Sequence, residues 1–321
     1  MNPEDPATAN GLTHFAFAAP TATPVTRHLA PLPELLSGRY QLESLLGVGG
    51  MGAVYRARDL LREQYGDPVP QVAIKVLNDD FAEYSDANAL LYGEFALTVR
   101  LRHPHIVRLH GFDIDRASER AFITLELLRG PTLDTLLCDR PEGLDWTELQ
   151  EVALPLLDAL QFAHANGVLH GDIKPSNVIL TDSGLRLFDF GLGQPREDLL
   201  PGLPLLSRGR FNAWTVRYAA FELLDEGRLT PAGDLFACAC VLYELATGKH
   251  PYRRLSAKQA RSLQIEPERP AAMPAAAWEA LRKALEIDPA RRQQDLDEWR
   301  TAWQTSAPAQ RWWQRLLRRS T

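Results

Sequence analysis

The segment Leu169–Asn177, which reads LHGDIKPSN, brings an aspartate, a lysine and an asparagine close together, and a second aspartate follows at Asp189. Carboxylate and amide oxygens are the ligands that Mg²⁺ prefers, and a nearby lysine can neutralise a phosphate. Each of these residues alone is also a common turn former or a solvent-exposed charge. Their order and spacing together favour a site for Mg²⁺ and a phosphate group over separate turn formers.

A glycine-rich segment near the start of the patterned sequence, Leu46–Tyr55, reads LGVGGMGAVY. Glycines let a backbone approach phosphates closely and present amide groups to them, although a GxGxxG pattern alone can mean only a tight turn. Here the glycines lie between two strand-like runs, and a lysine follows at Lys75 in the apolar run VAIK. A lysine in such a run is unusual, and the alternative is an edge-strand lysine that points to solvent.

Together these segments resemble the eukaryotic-like Ser/Thr protein kinases, and the resemblance covers roughly residues 40 to 305. The catalytic segment and Asp189-Phe190-Gly191 are similar to HRDxKPxN and DFG, with Gly171 in place of the arginine. The glycine-rich segment resembles that of bacterial members most, and Lys174 and Thr215 fit the Ser/Thr pattern better than the Tyr pattern. The resemblance implies an α+β, bilobal protein kinase fold with a small β-rich N-lobe and a larger helical C-lobe.

The resemblance also implies catalytic roles. Asp172 is expected to orient the substrate hydroxyl and accept its proton, and Lys174 to neutralise the transferred phosphate. Lys75 is expected to hold the α- and β-phosphates of ATP and to pair with an acidic residue on the next helix. Glu94 fits this partner because it shares a helix face with core leucines, and Glu83 is the weaker candidate.

Asn177 and Asp189 are the metal ligands that the resemblance implies, for Mg²⁺ with Mn²⁺ as a second option. Bound ATP is expected beneath the glycine loop and against the strand that ends before Gly130. Its expected contacts are Leu46, Gly47, Val48, Gly49, Gly50, Met51, Gly52, Val54, Ala73, Lys75, Glu126, Leu128 and Ile179. The apolar members of this set are equally expected as ordinary core residues.

A second part of the resemblance concerns protein substrates that carry Ser or Thr. Thr215–Glu222 resembles the peptide-binding segment that ends in APE, with Phe221 in place of proline. Glu222 is then expected to pair with Arg292, and Asp234 to begin a helix that braces the catalytic loop. The alternatives are a pseudokinase or nucleotide-binding scaffold, and a small-molecule phosphotransferase of related fold.

Composition limits the other possibilities. The chain has 321 residues and a net charge of −6, which disfavours non-specific binding of nucleic acid. Three cysteines, Cys138, Cys238 and Cys240, without a CxxC spacing fit a reducing compartment, and the last two are expected to be buried. No apolar run long enough for a transmembrane segment and no signal peptide are evident, so a cytoplasmic location is expected.

Several elements must position these residues. The predicted organisation is a disordered extension over residues 1–36, an N-lobe over 37–128, a C-lobe over 129–305 and a basic aromatic tail over 306–321. The predicted strands are two within 40–58, then 71–77, 121–127, 178–180 and 185–188, and the predicted helices are 85–101, 147–166, 234–247, 278–286 and 296–304.

Two expectations concern regulation and the tail. Because Gly171 cannot form the arginine–phosphate clamp of many kinases, activity is expected not to need activation-loop phosphorylation. In the tail, Trp312, Trp313, Leu316 and Leu317 share one helical face beside four arginines. This pattern predicts either a segment that binds a membrane surface or a partner, which would give a membrane-peripheral location, or a final helix packed on the large lobe.

Overall fold

The computed structural model describes residues 32–49, 52–77, 87–191, 193–195, 215–292, 295–304 and 312–313. The predictions for the extension before residue 32, for Gly50 and Met51, for Glu83, for Ser207 and for the tail after residue 313 lie outside these ranges.

The N-terminal part is a six-stranded antiparallel sheet in the order β1-β2-β3-β4-β6-β5. Its strands are β1 (Leu35–Leu36), β2 (Tyr40–Val48), β3 (Gly52–Asp59), β4 (Gln71–Leu77), β5 (Leu109–Asp115) and β6 (Arg120–Leu125). Helix α1 (Leu60–Gln64) joins β3 to β4, and helix α2 (Ala87–Thr98) packs on β5 and β6. The lysine-bearing strand β4 is central in this sheet, which is why its residues are apolar and buried.

One glycine of the loop between β2 and β3 is required by a close backbone approach. A Cβ on Gly52 would lie 2.2 Å from the carbonyl oxygen of Val76 on β4, so no side chain fits there. The loop is closed by Gly49, whose amide donates to the Gly52 carbonyl at 2.7 Å. The predicted strand–glycine–strand hairpin is thereby confirmed.

The predicted start of order at residue 37 is corrected by two residues of β1. Leu35 pairs with Gln41 and Leu36 with Tyr40, and the Leu36 side chain is fully buried in the small-lobe core. A two-residue strand has no periodicity, so the proline-rich composition around it dominated the prediction.

The C-terminal part is mainly helical. Its helices are α3 (Leu133–Asp139), α4 (Trp146–Ala165), α5 (Phe221–Glu226), α6 (Pro231–Thr247), α7 (Ala257–Ser262), α8 (Ala275–Ala284) and α9 (Leu296–Trp303). This part also contains two short antiparallel sheets. One pairs β7 (Val168–Leu169) with β10 (Gln194–Pro195), and the other pairs β8 (Val178–Thr181) with β9 (Gly184–Leu187). Among the helices that the structure describes, none is long and apolar enough to cross a membrane.

Helices α4 and α6 form the centre of this lobe. A capping box between Asp145 and Glu148 begins α4, and Thr230 caps α6 with Pro231 in its first turn. Helix α6 was predicted to begin at Asp234 but begins at Pro231, because a proline is tolerated in the first helical turn. Cys238 and Cys240 on α6 are fully buried, as predicted.

The two tryptophans of the tail are buried in the large lobe. The backbone amide of Trp312 donates to the Glu151 carboxylate at 3.0 Å, and its indole donates to the Glu148 carbonyl at 3.2 Å. The Trp313 indole donates to the Thr181 carbonyl at 3.1 Å. The membrane or partner interpretation counted these rings as its exposed apolar face, so the alternative of packing on the lobe is the correct one for them.

Candidate active site

The catalytic loop is held in place by one buried carboxylate of α6. Asp234 Oδ2 accepts from the amide of His170 and from His164 Nε2, both at 2.9 Å, and Oδ1 accepts from the amide of Gly171 at 2.9 Å. Burial raises the pKa of Asp234, but the hydrogen bond and charge of His164 outweigh it and lower the pKa below its usual value. Asp234 therefore braces the loop as predicted.

His170 orients Asp172, the predicted catalytic base. Its Nε2 faces the Phe188 carbonyl at 3.1 Å and must carry the proton, so Nδ1 is the acceptor for the Asp172 amide at 3.2 Å. The ring is fully buried, and burial lowers the pKa of His170 despite the neighbouring carboxylates. The neutral imidazole thus joins the backbone of the catalytic loop to the segment that precedes Asp189.

Asp172, Lys174 and Thr215 form a compact polar cluster. Lys174 Nζ donates to Asp172 Oδ2 at 2.6 Å and to Thr215 Oγ1 at 3.1 Å, and the Thr215 amide donates to Asp172 Oδ1 at 3.0 Å. The predicted base, the predicted phosphate-neutralising lysine and the first residue of the predicted peptide platform therefore share one site. The contact with the Thr215 amide could not be read from spacing, because it joins segments 43 residues apart.

Lys75 joins the small lobe to the DFG-like turn. Its ammonium lies 2.7 Å from both carboxylate oxygens of Glu94 on α2 and 2.6 Å from Asp189 Oδ1. Glu94 is thus the acidic residue that the structure places on Lys75. Gly191 completes the group, because a Cβ there would lie 3.1 Å from Glu94 Oε2 and 3.2 Å from Lys75 Nζ.

These charges shift one another's titration. Burial raises the pKa of Asp189, but the charge and hydrogen bond of Lys75 outweigh it and lower the pKa to about 2. Burial lowers the pKa of Lys75, but Asp189 and Glu94 outweigh it and raise the pKa above its ordinary value. At neutral pH the site therefore holds an ionised Asp189 beside a charged Lys75.

The donor set at Asn177 and Asp189 fits a hard divalent cation. The Asn177 amide nitrogen donates to the Asp172 carbonyl at 2.9 Å, which fixes the side chain and leaves its oxygen for another partner. Asp189 uses Oδ1 for Lys75, and its side chain remains 38% exposed. One amide oxygen and one carboxylate are fewer protein ligands than a closed metal cage needs, which suits Mg²⁺ held partly by substrate phosphates. Within the described ranges, no cluster of three or more His, Cys, Asp or Glu residues could hold a metal by itself.

Most of the described nucleotide contacts that were predicted lie on the sheet or on β8, and Gly49, Glu126 and Leu128 lie beyond the ends of β2 and β6. Val54 pairs in register with Lys75, Ala73 lies on the same strand as that lysine, and Ile179 follows Asn177 on β8. The glycine-loop residues Leu46 and Val48 are exposed. The remaining described members of the predicted set are Gly47, Gly49, Gly52, Glu126 and Leu128.

Glu126, a predicted nucleotide contact, is hydrogen-bonded to the backbone of Arg108. Its amide donates to the Arg108 carbonyl at 2.9 Å, and its carboxylate accepts from the Arg108 amide at 2.8 Å. The Glu126 amide is therefore not available to a ligand. The resemblance suggested backbone contacts around Glu126 and Leu128 in general, and this pairing removes one donor from that set.

The peptide platform is anchored to the large lobe at its end. Arg292 NH1 donates to Glu222 Oε1 at 2.6 Å and NH2 to Oε2 at 3.2 Å, which is the pair predicted from the resemblance. The hydroxyl of Tyr218 donates to Glu244 Oε2 at 2.5 Å. Sequence reasoning did not identify the Tyr218–Glu244 contact, and only the position of both residues beside recognised segments could have suggested it.

The same fold occurs in other proteins. A family model described as the protein kinase domain matches residues 40–303. Serine/threonine-protein kinase PkaA of Streptomyces coelicolor is 34% identical over 272 residues, which cover 79% of this chain and 47% of that protein. Serine/threonine-protein kinase PknD of Mycobacterium tuberculosis is 34% identical over 265 residues, which cover 79% of this chain and 38% of that protein.

This chain thus spans less than half the length of these curated relatives. Among solved structures, the crystal structure of the Mycobacterium tuberculosis PknI kinase domain superposes with a TM-score of 0.61. That match has 24% identity and covers 85% of this chain and 98% of the other, so it bears on the fold alone. The predicted α+β bilobal architecture is confirmed.

Proposed function

Because this chain belongs to the protein kinase domain family, we propose that it transfers the γ-phosphoryl group of ATP to Ser or Thr hydroxyls of proteins, in bacterial signalling. The observation that supports this most is the cluster of Asp172, Lys174 and Thr215, since it combines a base, a cation and the start of a peptide platform. The relatives named as Ser/Thr kinases support the same reaction class.

In the proposed reaction, the substrate hydroxyl oxygen forms a bond to the γ-phosphorus, and the bond from that phosphorus to the bridging oxygen of ATP breaks. ADP leaves with the electron pair, and the hydroxyl proton passes to Asp172 Oδ2 or Oδ1. Lys174 lies against both the Asp172 carboxylate and the Thr215 hydroxyl, so it can neutralise the transferred phosphate without moving far.

Four polar or charged residues of this chain, together with apolar ones, serve the nucleotide and its metal in this proposal. Lys75 would bind the α- and β-phosphates while Glu94 holds its ammonium in place. Asn177 and Asp189 would hold Mg²⁺, or Mn²⁺, which when bound neutralises charge on the phosphates. The apolar residues around Ala73 and Ile179 would cover the adenine ring.

Activity without activation-loop phosphorylation is part of the proposal. Gly171 has φ of +82°, a conformation in which an L side chain is strained, and its amide is bound to Asp234. Glycine therefore suits this position, and it offers no guanidinium for a phosphate. The catalytic loop obtains its order from Asp234 and His170 instead.

The test is phosphorylation of a generic protein substrate by the full chain with labelled ATP and Mg²⁺, followed by mapping of the phosphosites. We expect phosphoserine and phosphothreonine with the wild-type chain and none with Asp172→Asn. Binding of ATP without transfer would overturn the proposal and favour a nucleotide-binding scaffold.

The phosphorylation part has its own measurement. Phosphatase treatment and, separately, Ser207→Ala should leave the initial rate on an external substrate within a factor of about ten, which corresponds to ~1.4 kcal/mol in the barrier. A larger loss in either case would mean that the loop is a phospho-switch.

A further inference from the structure

One histidine joins the peptide platform to a basic turn. His250 Nε2 faces the Arg217 carbonyl at 2.9 Å and must donate to it, so Nδ1 accepts from the amides of Tyr252 and Arg254, each at 3.2 Å. The backbones of Arg217 and Arg254 therefore lie on the two sides of one imidazole ring.

Arg217 has few polar contacts within the described ranges. Its guanidinium lies over the Tyr218 ring at 5.1 Å, and its buried Nε has no hydrogen-bond partner among the described residues. In the described part of the chain, neither Arg217 nor Arg254 forms an ion pair with a carboxylate, whereas Arg39 binds Asp59 through two nitrogens at 2.8 and 2.7 Å. The Glu244 carboxylate on α6 accepts from the hydroxyl of the neighbouring residue, Tyr218.

The charges of Arg217 and Arg254 both act on the His250 imidazole. Burial is the main cause that lowers the pKa of His250, and the positive charges of Arg217 and Arg254 lower it further, to about 4. His250 is therefore neutral at physiological pH and adds no charge to the two guanidinium groups. Unpaired guanidinium groups bind carboxylate and phosphate through parallel hydrogen bonds, and they are weakly hydrated.

Arg217 lies close in sequence to Thr215, the first residue of the peptide platform. Arg217 is two residues from Thr215, which is bound to both Asp172 and Lys174. Successive Cα atoms are about 3.8 Å apart, so the Arg217 backbone is within about 8 Å of that of Thr215. An extended peptide advances about 3.3 Å per residue, so Arg217 can reach side chains a few residues from the acceptor.

We propose that Arg217 and Arg254 form an anion-binding subsite of the peptide platform, which selects protein segments with Asp or Glu within a few residues of the phosphoacceptor. The inference rests on the proposed kinase function and adds its substrate class. The same chemistry would bind a phosphate on Ser207 of the chain itself, and the experiment separates these two sources of the anionic group.

The experiment measures kcat/KM of the full chain with three Ser/Thr peptides that differ only in flanking Glu, Gln or Lys on both sides of the acceptor. We expect the Glu peptide to exceed the Gln peptide by about tenfold at low salt, in the range that partly exposed charge contacts support. Arg217→Gln and Arg254→Gln should each lower this ratio by about threefold to fivefold. Arg217→Glu should shift the preference toward the Lys peptide.

The matched control is Arg253→Gln. Arg253 is an exposed neighbour whose charge does not contribute to the His250 pKa shift, so its substitution should keep the ratio. Equal kcat/KM for the Glu and Gln peptides in the wild-type chain, or a ratio that Arg217→Gln and Arg254→Gln leave unchanged, would overturn the inference. A Glu preference that is absent in the wild-type chain and appears in Ser207→Ala would assign the subsite to the chain's own phosphate and overturn the substrate class.

A failure of the proposed function gives a different result. If no peptide and no protein is phosphorylated, the kinase proposal fails, and binding of fluorescently labelled Glu and Gln peptides then decides the subsite alone. Tighter binding of the Glu peptide that Arg217→Glu abolishes would support the subsite, and equal binding of both peptides would contradict it.

Discussion

Two ion clusters in this molecule differ in their exposure to solvent and in their net charge. In the large lobe, Arg292 and Glu222 form a pair whose side chains are 0% and 2% exposed. In the cleft between the lobes, the Lys75 ammonium is shared by Glu94 and Asp189, and the Asp189 side chain is 38% exposed. The first cluster is neutral, and the second has two carboxylates for one ammonium.

The Arg292 cluster leaves no donor unused. The guanidinium has five N–H groups, and it makes five hydrogen bonds. Two go to the Glu222 carboxylate and the others to the carbonyls of Ala232, Glu286 and Ile287. A closed, neutral arrangement of this kind holds two segments together and has nothing left to offer a ligand.

The Lys75 cluster uses all three ammonium protons and still keeps a negative charge. Glu94 receives Lys75 at both oxygens, whereas Asp189 is bound through Oδ1. A bound cation could neutralise this surplus charge, as we propose for the metal held by Asn177 and Asp189. A buried ion pair by itself therefore says little about function, and the imbalance of charge together with partial exposure supports the proposed role of the Lys75 cluster.

Removal of the surplus charge should have the largest effect. We expect Asp189→Asn to lower phosphoryl transfer by about a thousandfold, roughly 4 kcal/mol in the barrier, because a neutral amide binds a divalent cation poorly. Its thermal unfolding should remain close to that of the wild type. Asp139→Asn, at an exposed helix end, is the control, and near-normal turnover of folded Asp189→Asn would contradict the assignment.

Opening the closed cluster should affect stability rather than chemistry. We expect Arg292→Met to lower the free energy of unfolding by about 3 kcal/mol, because it leaves the Glu222 carboxylate buried without its partner. Urea unfolding would measure this, with Arg291→Met as the control because the Arg291 side chain is 77% exposed. The double change with Glu222→Gln should be less damaging than Arg292→Met alone, and a fully additive loss would argue against the pairing.

Adding a methyl group beside the Lys75 cluster should have a smaller effect, because it displaces the charged groups without removing any of them. In Gly191→Ala the new Cβ would lie 3.1 to 3.2 Å from atoms of Glu94, Asp189 and Lys75, so one of these must shift. We expect the transfer rate to fall by about tenfold, which is ~1.4 kcal/mol. Gly111→Ala is the matched control, since its Cβ would meet only Thr124 Oγ1 at 3.4 Å. Equal rates for both variants would mean that the cluster tolerates displacement.

Burial of His250 should make the free energy of unfolding depend on pH. Its pKa is lowered from 6.5 to about 4, so the unfolded chain binds the proton more readily and stability falls as the pH drops between these values. From about pH 6.5 to 5.5 this group should contribute a loss of about 1 kcal/mol in the free energy of unfolding. His250→Asn should remove that increment from the pH dependence, and identical slopes for variant and wild type would contradict the assignment.

Residues on long periodic elements and in dense motifs were predictable, and those joined by tertiary contacts were not. Strand β4 was predicted with its observed bounds because its apolar run is continuous. Helices α1, α3, α5 and α7 were missed because each is too short to show a clear helical repeat of apolar residues. Strand β5 was missed because most of its residues are exposed or only partly buried, and its sequence LHGFDID has no regular apolar alternation.

The site divides in the same way. Lys75, Asp172, Asn177 and Asp189 stood out by spacing, whereas the link from Arg217 to His250 joins segments 33 residues apart and had no sequence signal. The tail was ambiguous for a physical reason, because apolar rings beside arginines suit a membrane surface and a lobe surface equally well.

The buried tryptophans set an order in which the large lobe can be completed. Trp312 and Trp313 bond to partners that precede them by 132 to 164 residues. During synthesis the parts of α4 and β8 that contact these tryptophans therefore remain exposed to solvent until residues 312 and 313 have been added. Contacts so distant in sequence are slow to form. Late closure of this kind makes the nascent lobe dependent on its last-made contacts and prolongs the time during which it can aggregate.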